Sequence, residues 1–284
     1  MTTYRALYQE AVAALRLADN PDAPFDARCL MEKAFGMDRS ALALHGGEEP
    51  AKEEMDRFLA LVRCRAAGEP LQYLLGEWPF LDESYQVGPG VLIPRPETEL
   101  LAQTVLRLTA QLEKPVILDL CAGSGCIGLS IAKRRPDAQV YLLEKSPEAY
   151  AYLCQNGAHL ALHNAHWGLG DVLEGFASSH LPAPHVIVSN PPYVASAEIA
   201  SLQREVLREP HMALDGGEDG LLFYRALARQ WLPFLKPGGF IAVECGESQA
   251  EKIEFLFLPQ HIQTQILKDY RGIPRIVAGW KSFE

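Results

Sequence analysis

Asn190-Pro191-Pro192-Tyr193 is the stretch whose residue types are hardest to explain as scaffold alone. Two consecutive prolines remove two N–H donors and lock φ, so the carbonyls around them are held rigidly and stay free to accept. The Asn190 side chain adds a further carbonyl, and Tyr193 can pack on a flat group as one wall of a slot. Together these acceptors can take both hydrogens of an –NH2 group and fix its plane. An amide or aromatic amine nitrogen is a weak nucleophile because its lone pair is delocalised. Accepting its hydrogens raises its electron density and stabilises the positive charge that develops as it attacks an electrophile. An Asn-Pro step is also ordinary turn chemistry, so the four residues alone leave a plain strand-ending turn open.

A second constellation lies upstream. Leu118-Asp119-Leu120-Cys121-Ala122-Gly123-Ser124-Gly125 ends an apolar run and leads into a helical segment. Glycines there let the backbone turn sharply and approach a ligand, and the helix N-terminus that follows favours negative groups. Residues 123–128 spell G-x-G-x-x-G, and Glu144 closes the next apolar run. An acid at that place can hold the ribose hydroxyls of either NAD or S-adenosylmethionine. Two details favour the sulfonium cofactor. Cys121 and Ala122 separate the strand from its first glycine, and Asp119 sits inside the strand end, where it could meet the ammonium of a bound amino acid. A sulfonium methyl is already electrophilic, so in-line positioning can lower much of the remaining barrier and no metal is required.

These residues need elements that deliver them to one place. From Pro115 onward, short buried runs of strand type (Val116–Leu120, Val140–Leu143, Val186–Ser189, Phe240–Cys245, Thr264–Leu267, Arg275–Ala278) alternate with helical segments. The helices are expected at Ile127–Arg135, Pro147–Leu160, Leu221–Leu235 and Gln249–Leu258. Such alternation implies a mostly parallel sheet covered on both faces, with its ligand beyond the carboxyl ends of the strands near a topological switch point. The first seventy residues read instead as amphipathic helices over Tyr4–Ala18, Asp26–Phe35 and Pro50–Ala67, enough for a small bundle. Between Gly76 and Arg95, aromatic and β-branched residues interleave with turn residues as in a β-hairpin, and Pro94–Glu99 then opens a helix running to about Ala110. The organisation expected is a helical domain over 1–74, a β-hairpin linker over 75–95 and an α/β domain over 96–284.

Bulk properties narrow the function classes. The chain has 284 residues, 48% hydrophobic and 22% charged, an ordinary balance for a globular protein of this size. No apolar run approaches the roughly eighteen residues that span a bilayer, so no membrane association is expected. Met1–Ala6 lacks the basic start and apolar stretch of a signal peptide, so a cytoplasmic protein is expected. The six cysteines form no CxxC pair and read as reduced, mostly buried thiols. Net charge is −10, with ten Lys/Arg against fifteen Asp/Glu in residues 1–95 and sixteen against twenty-one in the rest. An acidic, evenly spread balance lacks the footprint of a duplex-DNA binder, and no stable nucleic-acid binding is expected.

With these residues in hand, the chain resembles the release factor glutamine N5-methyltransferases of the HemK/PrmC type, over nearly its whole length. The resemblance is carried by Gly68–Tyr73, Leu92-Ile93-Pro94-Arg95-Pro96-Glu97-Thr98-Glu99, Asn190–Tyr193, the Glu209–Gly220 segment and Asp269–Arg275. It implies a Rossmann-like, seven-stranded class I methyltransferase domain, mostly parallel, preceded by a small all-α bundle that helps hold the partner. It implies methyl transfer from S-adenosylmethionine to the glutamine side-chain amide of the Gly-Gly-Gln motif in class-1 peptide chain release factors. Asn190 and the Pro191 carbonyl would grip that amide, with Pro192 and Tyr193 completing its slot. Cofactor contacts would map to Cys121, Ala122, Gly123, Ser124, Gly125, Glu144, Asp171, Val172 and Asn190. Cys121 stands where the family generally has Gly, Glu144 where Asp is commoner, and Val172 where an aromatic flanks the adenine. Arg95 or Glu97 would line the site mouth or the partner surface, and the Gly216–Gly220 turn would shape the substrate rim. Competing readings are a ribosomal-protein glutamine methyltransferase, a nucleic-acid adenine N6-methyltransferase, a non-catalytic adaptor and an NAD-dependent oxidoreductase.

Overall fold

The structure is a computed structural model that describes residues 2–282. Its contacts divide into two units, one running up to Glu77 and including Gln203–Arg208, the other comprising Trp78–Leu202 and the chain from Glu209 onward.

The first unit is helical. Tyr4–Leu17 starts at Thr3, whose hydroxyl accepts the Ala6 N–H, and buries Leu7, Ala11, Val12 and Leu15 along one face. Ala23–Phe35 opens with Pro24 in its first turn and ends on Gly36 at φ 63°. Lys52–Ala66 carries Glu53 and Glu54 in its first turn and Arg63 and Arg65 in its last, as the helix dipole favours. Two further helices, Arg39–His45 and Leu71–Leu75, lie outside the apolar pattern. The first of them buries no side chain, so it leaves no periodic signature in the sequence.

Two packed residues of this unit are charged, Asp26 and Arg65, the latter a guanidinium only 6% exposed. Its Nε donates to Asp26 Oδ2 at 2.6 Å, its Nη2 to Glu205 Oε1 at 2.6 Å and its Nη1 to the Glu69 carbonyl at 3.1 Å. Asp26 also accepts from Asn20 Nδ2 at 2.6 Å. Arg204 adds a bond from Nη2 to the Ala67 carbonyl at 2.7 Å, so Gln203–Arg208 is tied to the end of Lys52–Ala66 by two arginines.

β1 (Glu77–Phe80), all but its first residue in the second unit, and β2 (Glu83–Gln86) form the expected hairpin. Tyr85 is buried with its hydroxyl 2.6 Å from Ser130 Oγ, and Glu83 pairs with Lys133 and Arg134, which fixes the hairpin on helix Cys126–Arg134. The main sheet comprises β3 (Val116–Leu120), β4 (Gln139–Glu144), β5 (Ala165–Leu169), β6 (Val186–Ser189), β7 (Phe240–Glu244), β8 (Ile262–Lys268) and β9 (Pro274–Lys281). Its order is β5-β4-β3-β6-β7-β9-β8, parallel except that β9 runs antiparallel to both neighbours. The chain winds from β3 outward to β5, then crosses back to β6 on the other side of β3, which makes that strand end the switch point.

Alternate residues of each central strand feed two apolar layers. Ile117, Val140, Val186 and Ala242 face one side with Leu101, Val105 and Leu129, while Leu118, Leu143, Ile187 and Val243 face the other with Leu227, Trp231 and Ile253. Burial on both faces is why these strands read as continuous apolar runs. Edge strand β5, Ala-His-Trp-Gly-Leu, has a mixed burial pattern and no such run, so its sequence does not announce a strand. The helix expected over Leu221–Leu235 is broken: it is α-helical over Leu222–Ala226, widens to a π-turn over Leu227–Trp231 and tightens to a 3₁₀ turn over Leu232–Phe234. Pro233 has no N–H to continue an α-helical ladder. All six cysteines are free, but only Cys126 and Cys245 are buried; Cys64 is exposed and the others are half-buried. Among the described residues no helix is long and apolar enough to cross a membrane.

Replacing Arg65 with Met removes the cation from the buried Asp26 carboxylate while keeping the apolar stem. Breaking a buried pair in this way costs about 3–5 kcal/mol. Urea unfolding followed by far-UV circular dichroism, with amide exchange in Lys52–Ala66, should show that loss; unchanged exchange there would mean that Arg65 is not needed to hold the unit.

Candidate active site

The register of the parallel strands aligns Leu120 with Leu143 on one side and with Ser189 on the other, and Ser189 with Val243. Cys121, Glu144, Asn190 and Glu244 therefore emerge along one edge of the sheet. Cys121, Glu144 and Asn190 border a cleft of about 620 Å³, counting the part open to solvent, and Glu244 is buried beside it, outside its lining.

The turn after β3 is tight. Cys121 has φ 62°, the left-handed region that glycine occupies freely and that costs an L-residue about 1–2 kcal/mol. The Ala122 N–H donates to the Leu143 carbonyl at 3.0 Å, and the Gly123 N–H to Glu144 Oε2 at 2.7 Å. Gly128, the last glycine of G-x-G-x-x-G, is required for close packing, because a Cβ there would lie 2.6 Å from Leu142 Cδ2 and 2.7 Å from Asp119 Oδ2. Its N–H donates to Asp119 Oδ2 at 2.8 Å. Asp119 Oδ1 is the single buried side-chain oxygen or nitrogen without a partner among the described residues. Burial, opposed by the Gly128 N–H and reinforced by Glu144, pushes the Asp119 carboxyl up to about 7.

Glu144 is fixed from both sides. Oε2 takes the Gly123 N–H and Oε1 the Ser146 N–H, each at 2.7 Å, which leaves one lone pair on each oxygen. Burial raises its pKa, and these N–H groups oppose that rise. Asp171 takes the Leu173 N–H at Oδ1 and pairs with Lys145 through Oδ2 at 2.8 Å. The buried Val172 accepts the Trp231 indole N–H on its carbonyl. Of the residues expected to hold a cofactor, Cys121, Glu144, Asp171, Val172 and Asn190 line the cleft. Ala122, Gly123, Ser124 and Gly125 do not: Ala122 lines a smaller neighbouring cavity, Gly123 faces Glu144, and the buried Ser124 gives its carbonyl to Asn156. Within this turn, the Gly123 N–H holds Glu144. The aromatic surface that Val172 lacks is present in the cleft as Phe223.

Asn190 follows β6 and lines both cavities. Its Nδ2 donates to Thr98 Oγ1 at 3.2 Å, and Thr98 Oγ1 donates to Glu244 Oε2 at 2.7 Å. Among the described residues, neither Asn190 Oδ1 nor the Pro191 carbonyl accepts a protein hydrogen bond. Pro191 and Pro192 are buried, and only Pro192 borders the cleft. Tyr193 lies outside both cavity linings and packs its ring at the edge of the second apolar layer, beside Gly246. Burial, with Glu244 nearby, raises the pKa of its phenol. The Tyr193 carbonyl takes Gln249 Nε2 at 2.8 Å, and Gln249 Oε1 in turn takes the Gly246 N–H.

Two segments brace this turn. Val194 pairs with Asp215, and the Gly216 N–H donates to the Val194 carbonyl at 2.8 Å. A Cβ on Gly216 would stand 2.8 Å from both the Pro192 oxygen and Tyr193 Cα, so backbone lies directly on backbone. On the other side, the buried Glu209 takes the Ile93 N–H at 3.0 Å and pairs with the Arg95 guanidinium. Arg95 thus lines the smaller cavity, while Glu97 does not border either one.

Comparison with known proteins gives this geometry a lineage. Residues 6–76 match the family model described as PrmC N-terminal domain, and residues 96–228 match the methyltransferase small domain. A release factor glutamine methyltransferase of Koribacter versatilis is 35% identical over 280 residues, covering 98% of this chain and 99% of its own. Another, from Thermodesulfovibrio yellowstonii, is 38% identical over 238 residues, covering 82% and 84%. The chain belongs to the release factor glutamine methyltransferase family. Its main sheet is the seven-stranded, mostly parallel class I methyltransferase fold. Among solved structures, a methyltransferase from Pyrococcus furiosus shares that fold with a TM-score of 0.51 at 17% identity, over 70% of this chain and 88% of that one.

Pattern reading missed several residues that shape this methyltransferase site. Thr98 and Glu209 lie inside stretches that carry the family resemblance, yet nothing in their spacing reveals that they are buried acceptors or donors. Glu244 falls inside the expected strand Phe240–Cys245, and its burial is seen only in the structure. The bracing role of Gly216 is a direct structural consequence with a measurable cost. Gly216→Ala forces the Pro192–Tyr193 backbone to shift, and overpacking of this kind costs about 1–3 kcal/mol. Thermal denaturation should show the midpoint falling, and an unchanged midpoint would show that the turn can move away freely.

Proposed function

We propose that this chain transfers the methyl group of S-adenosylmethionine to the side-chain amide nitrogen of the glutamine in the Gly-Gly-Gln motif of class-1 peptide chain release factors. The observation that carries the reading is the unengaged acceptor Asn190 Oδ1, in a cleft also lined by Pro192, Glu144, Asp171 and Val172, with the Pro191 carbonyl of the same turn likewise taking no protein donor among the described residues. The named activity of the similar proteins supports the same substrate.

The donor set fits the cofactor. Glu144 keeps one lone pair per oxygen for two ribose hydroxyls, and Val172, Met212 and Phe223 offer apolar surface to a flat base. Cys121 and Asp171 line the cleft beside them, and the orphaned Asp119 Oδ1 beneath the turn is an acceptor suited to an ammonium or a water that carries one. When bound, the cofactor supplies an electrophilic methyl on a sulfonium that departs as a neutral thioether.

The chain's own residues do the rest. Asn190 Oδ1 and the Pro191 carbonyl accept the two amide hydrogens and hold the nitrogen in plane. As the nitrogen–carbon bond forms, positive charge grows on that nitrogen, and the two fixed carbonyl dipoles stabilise it without reorganising. The surplus proton, held between nitrogen and these oxygens, passes to water, because an N-protonated amide is a strong acid and needs no dedicated base. Pro192 closes the slot on one side, and Tyr193 contributes through its backbone, which Gln249 and the Gly216 turn hold. The helical domain over 1–74 serves the release factor, the hairpin over 75–95 links the domains, and residues 96–284 carry the methyl transfer.

Incubation with methyl-labelled S-adenosylmethionine and full-length release factor, a ribosomal-protein substrate and DNA, with the labelled residue mapped by mass spectrometry, tests the reading. Label is expected on the Gly-Gly-Gln glutamine; label on adenine, or nowhere, would sink it. Asn190→Ala should slow turnover by about 10²–10³-fold, the scale set by losing one transition-state hydrogen-bonding group, while leaving cofactor affinity largely intact. Glu144→Ala should do the reverse, weakening cofactor binding by about 10–100-fold as charge-assisted hydrogen bonds are lost. Calorimetric titration of the cofactor separates the two.

A further inference from the structure

The two ends of an Asn amide are nearly the same size, so shape alone does not decide which end faces a substrate. Only the carbonyl end of Asn190 can accept an amide hydrogen, and an –NH2 end in its place would repel it. The surroundings of Asn190 hold the means to choose.

Thr98 and Glu244 form a directional chain behind it. Thr98 sits in the first turn of helix Pro96–Leu108, 2% exposed, and Glu244 ends β7, 3% exposed. A hydroxyl carries one hydrogen. Thr98 commits that hydrogen to Glu244 Oε2 at 2.7 Å, so Thr98 Oγ1 offers only lone pairs to Asn190 at 3.2 Å. Only the –NH2 end of Asn190 can meet lone pairs, and Oδ1 must then turn away from Thr98. The Glu244 backbone is itself pinned, since its carbonyl takes the Tyr224 hydroxyl at 2.7 Å. We propose that Thr98 and Glu244 are positioning residues that set which end of the Asn190 amide faces the substrate. This rests on the reading of Asn190 as the group that grips the substrate amide.

The chain has a polarity that ionisation of Glu244 controls. An ionised carboxylate can only accept, which forces the order Asn190 to Thr98 to Glu244. A protonated carboxyl can donate to Thr98 Oγ1, freeing the Thr98 hydrogen to point at Asn190, where it favours the flipped amide. Burial pushes the Glu244 carboxyl up to about 7; the Thr98 hydroxyl, Arg275 and Arg95 oppose that rise and Glu97 adds to it. The other titratable groups facing it are Cys126, Tyr193, Tyr224 and Cys245. The orientation is therefore enforced above about pH 7 and lost as pH falls below it.

The test is the single-turnover rate of methyl transfer to full-length release factor, with cofactor affinity and melting temperature measured on the same samples. Thr98→Val should slow transfer by about tenfold, the scale of one hydrogen bond, with cofactor affinity unchanged, and Thr98→Ser should restore it. In the parent enzyme the rate should fall as pH drops through 7, and Glu244→Gln, which cannot ionise, should be slower at pH 8 and lose that limb. A parent-like rate in Thr98→Val, failure of Thr98→Ser to rescue, or survival of the acid limb in Glu244→Gln overturns the proposal. If Thr98→Val does not fold, the Thr98→Ser rate and the Glu244→Gln pH profile still decide. Asn190→Ala run alongside keeps the two ideas apart: parent-like transfer there removes the amide grip itself, whereas loss there with no effect at Thr98 removes only the positioning chain.

Discussion

Parallel strands in register end on the same side, and the site depends on that constraint. The crossover from β5 back to β6 parts the following loops at β3, so the turn at Cys121 and the turn at Asn190 diverge and leave a cleft between them. Glu144 reaches the same edge from β4 and Glu244 from β7, each as the last residue of its strand. No long loop has to carry a functional group into place. Chemistry built on strand ends inherits the rigidity of the sheet, which methyl transfer needs because it gains from alignment rather than from a strong base.

The same constraint puts acids where water is scarce. Asp119, Glu144 and Glu244 all sit at or just inside strand ends and are largely buried, and burial raises the pKa of each. What separates them is the donors they meet. Glu144 receives backbone N–H groups on both oxygens, an arrangement that favours the charged form and holds it ready for hydroxyl groups. Asp119 receives one N–H and keeps an orphaned oxygen. Glu244 receives only a hydroxyl, whose direction it then dictates. Three carboxylates on one edge thus take three parts, set by neighbours rather than by residue type.

Much of this architecture is legible in the sequence, for identifiable reasons. Central strands buried on both faces must be apolar throughout, so Val116–Leu120 and Val186–Ser189 announce themselves. The glycine triplet and the double proline mark backbone shapes that few residues tolerate. Edge strand β5 and helix Arg39–His45 are missed because little of either is buried. Buried polar residues are missed for a deeper reason. Arg65, Thr98 and Glu244 have ordinary surface identities, and what makes them structural is a partner 39, 92 or 146 residues away. Phe223 shows the converse: no motif marks it, yet it joins Val172 in the cleft lining from helix Leu222–Ala226.

The Asn-Pro-Pro-Tyr motif is therefore best understood by what holds it. Its prolines remove donors, but they cannot choose an amide orientation or stop the turn from sliding. Gly216 lies on the Pro192–Tyr193 backbone, Gln249 ties the Tyr193 carbonyl to the Gly246 loop, and Glu209 locks the Ile93–Arg95 segment that leads into Thr98. Tyr193 packs its ring against the second apolar layer. For the proposed amide transfer, two carbonyls that cannot move would matter more than one further aromatic contact. The residues around the motif are spent on that immobility, which is why they are scattered through the sequence and gathered only by the fold.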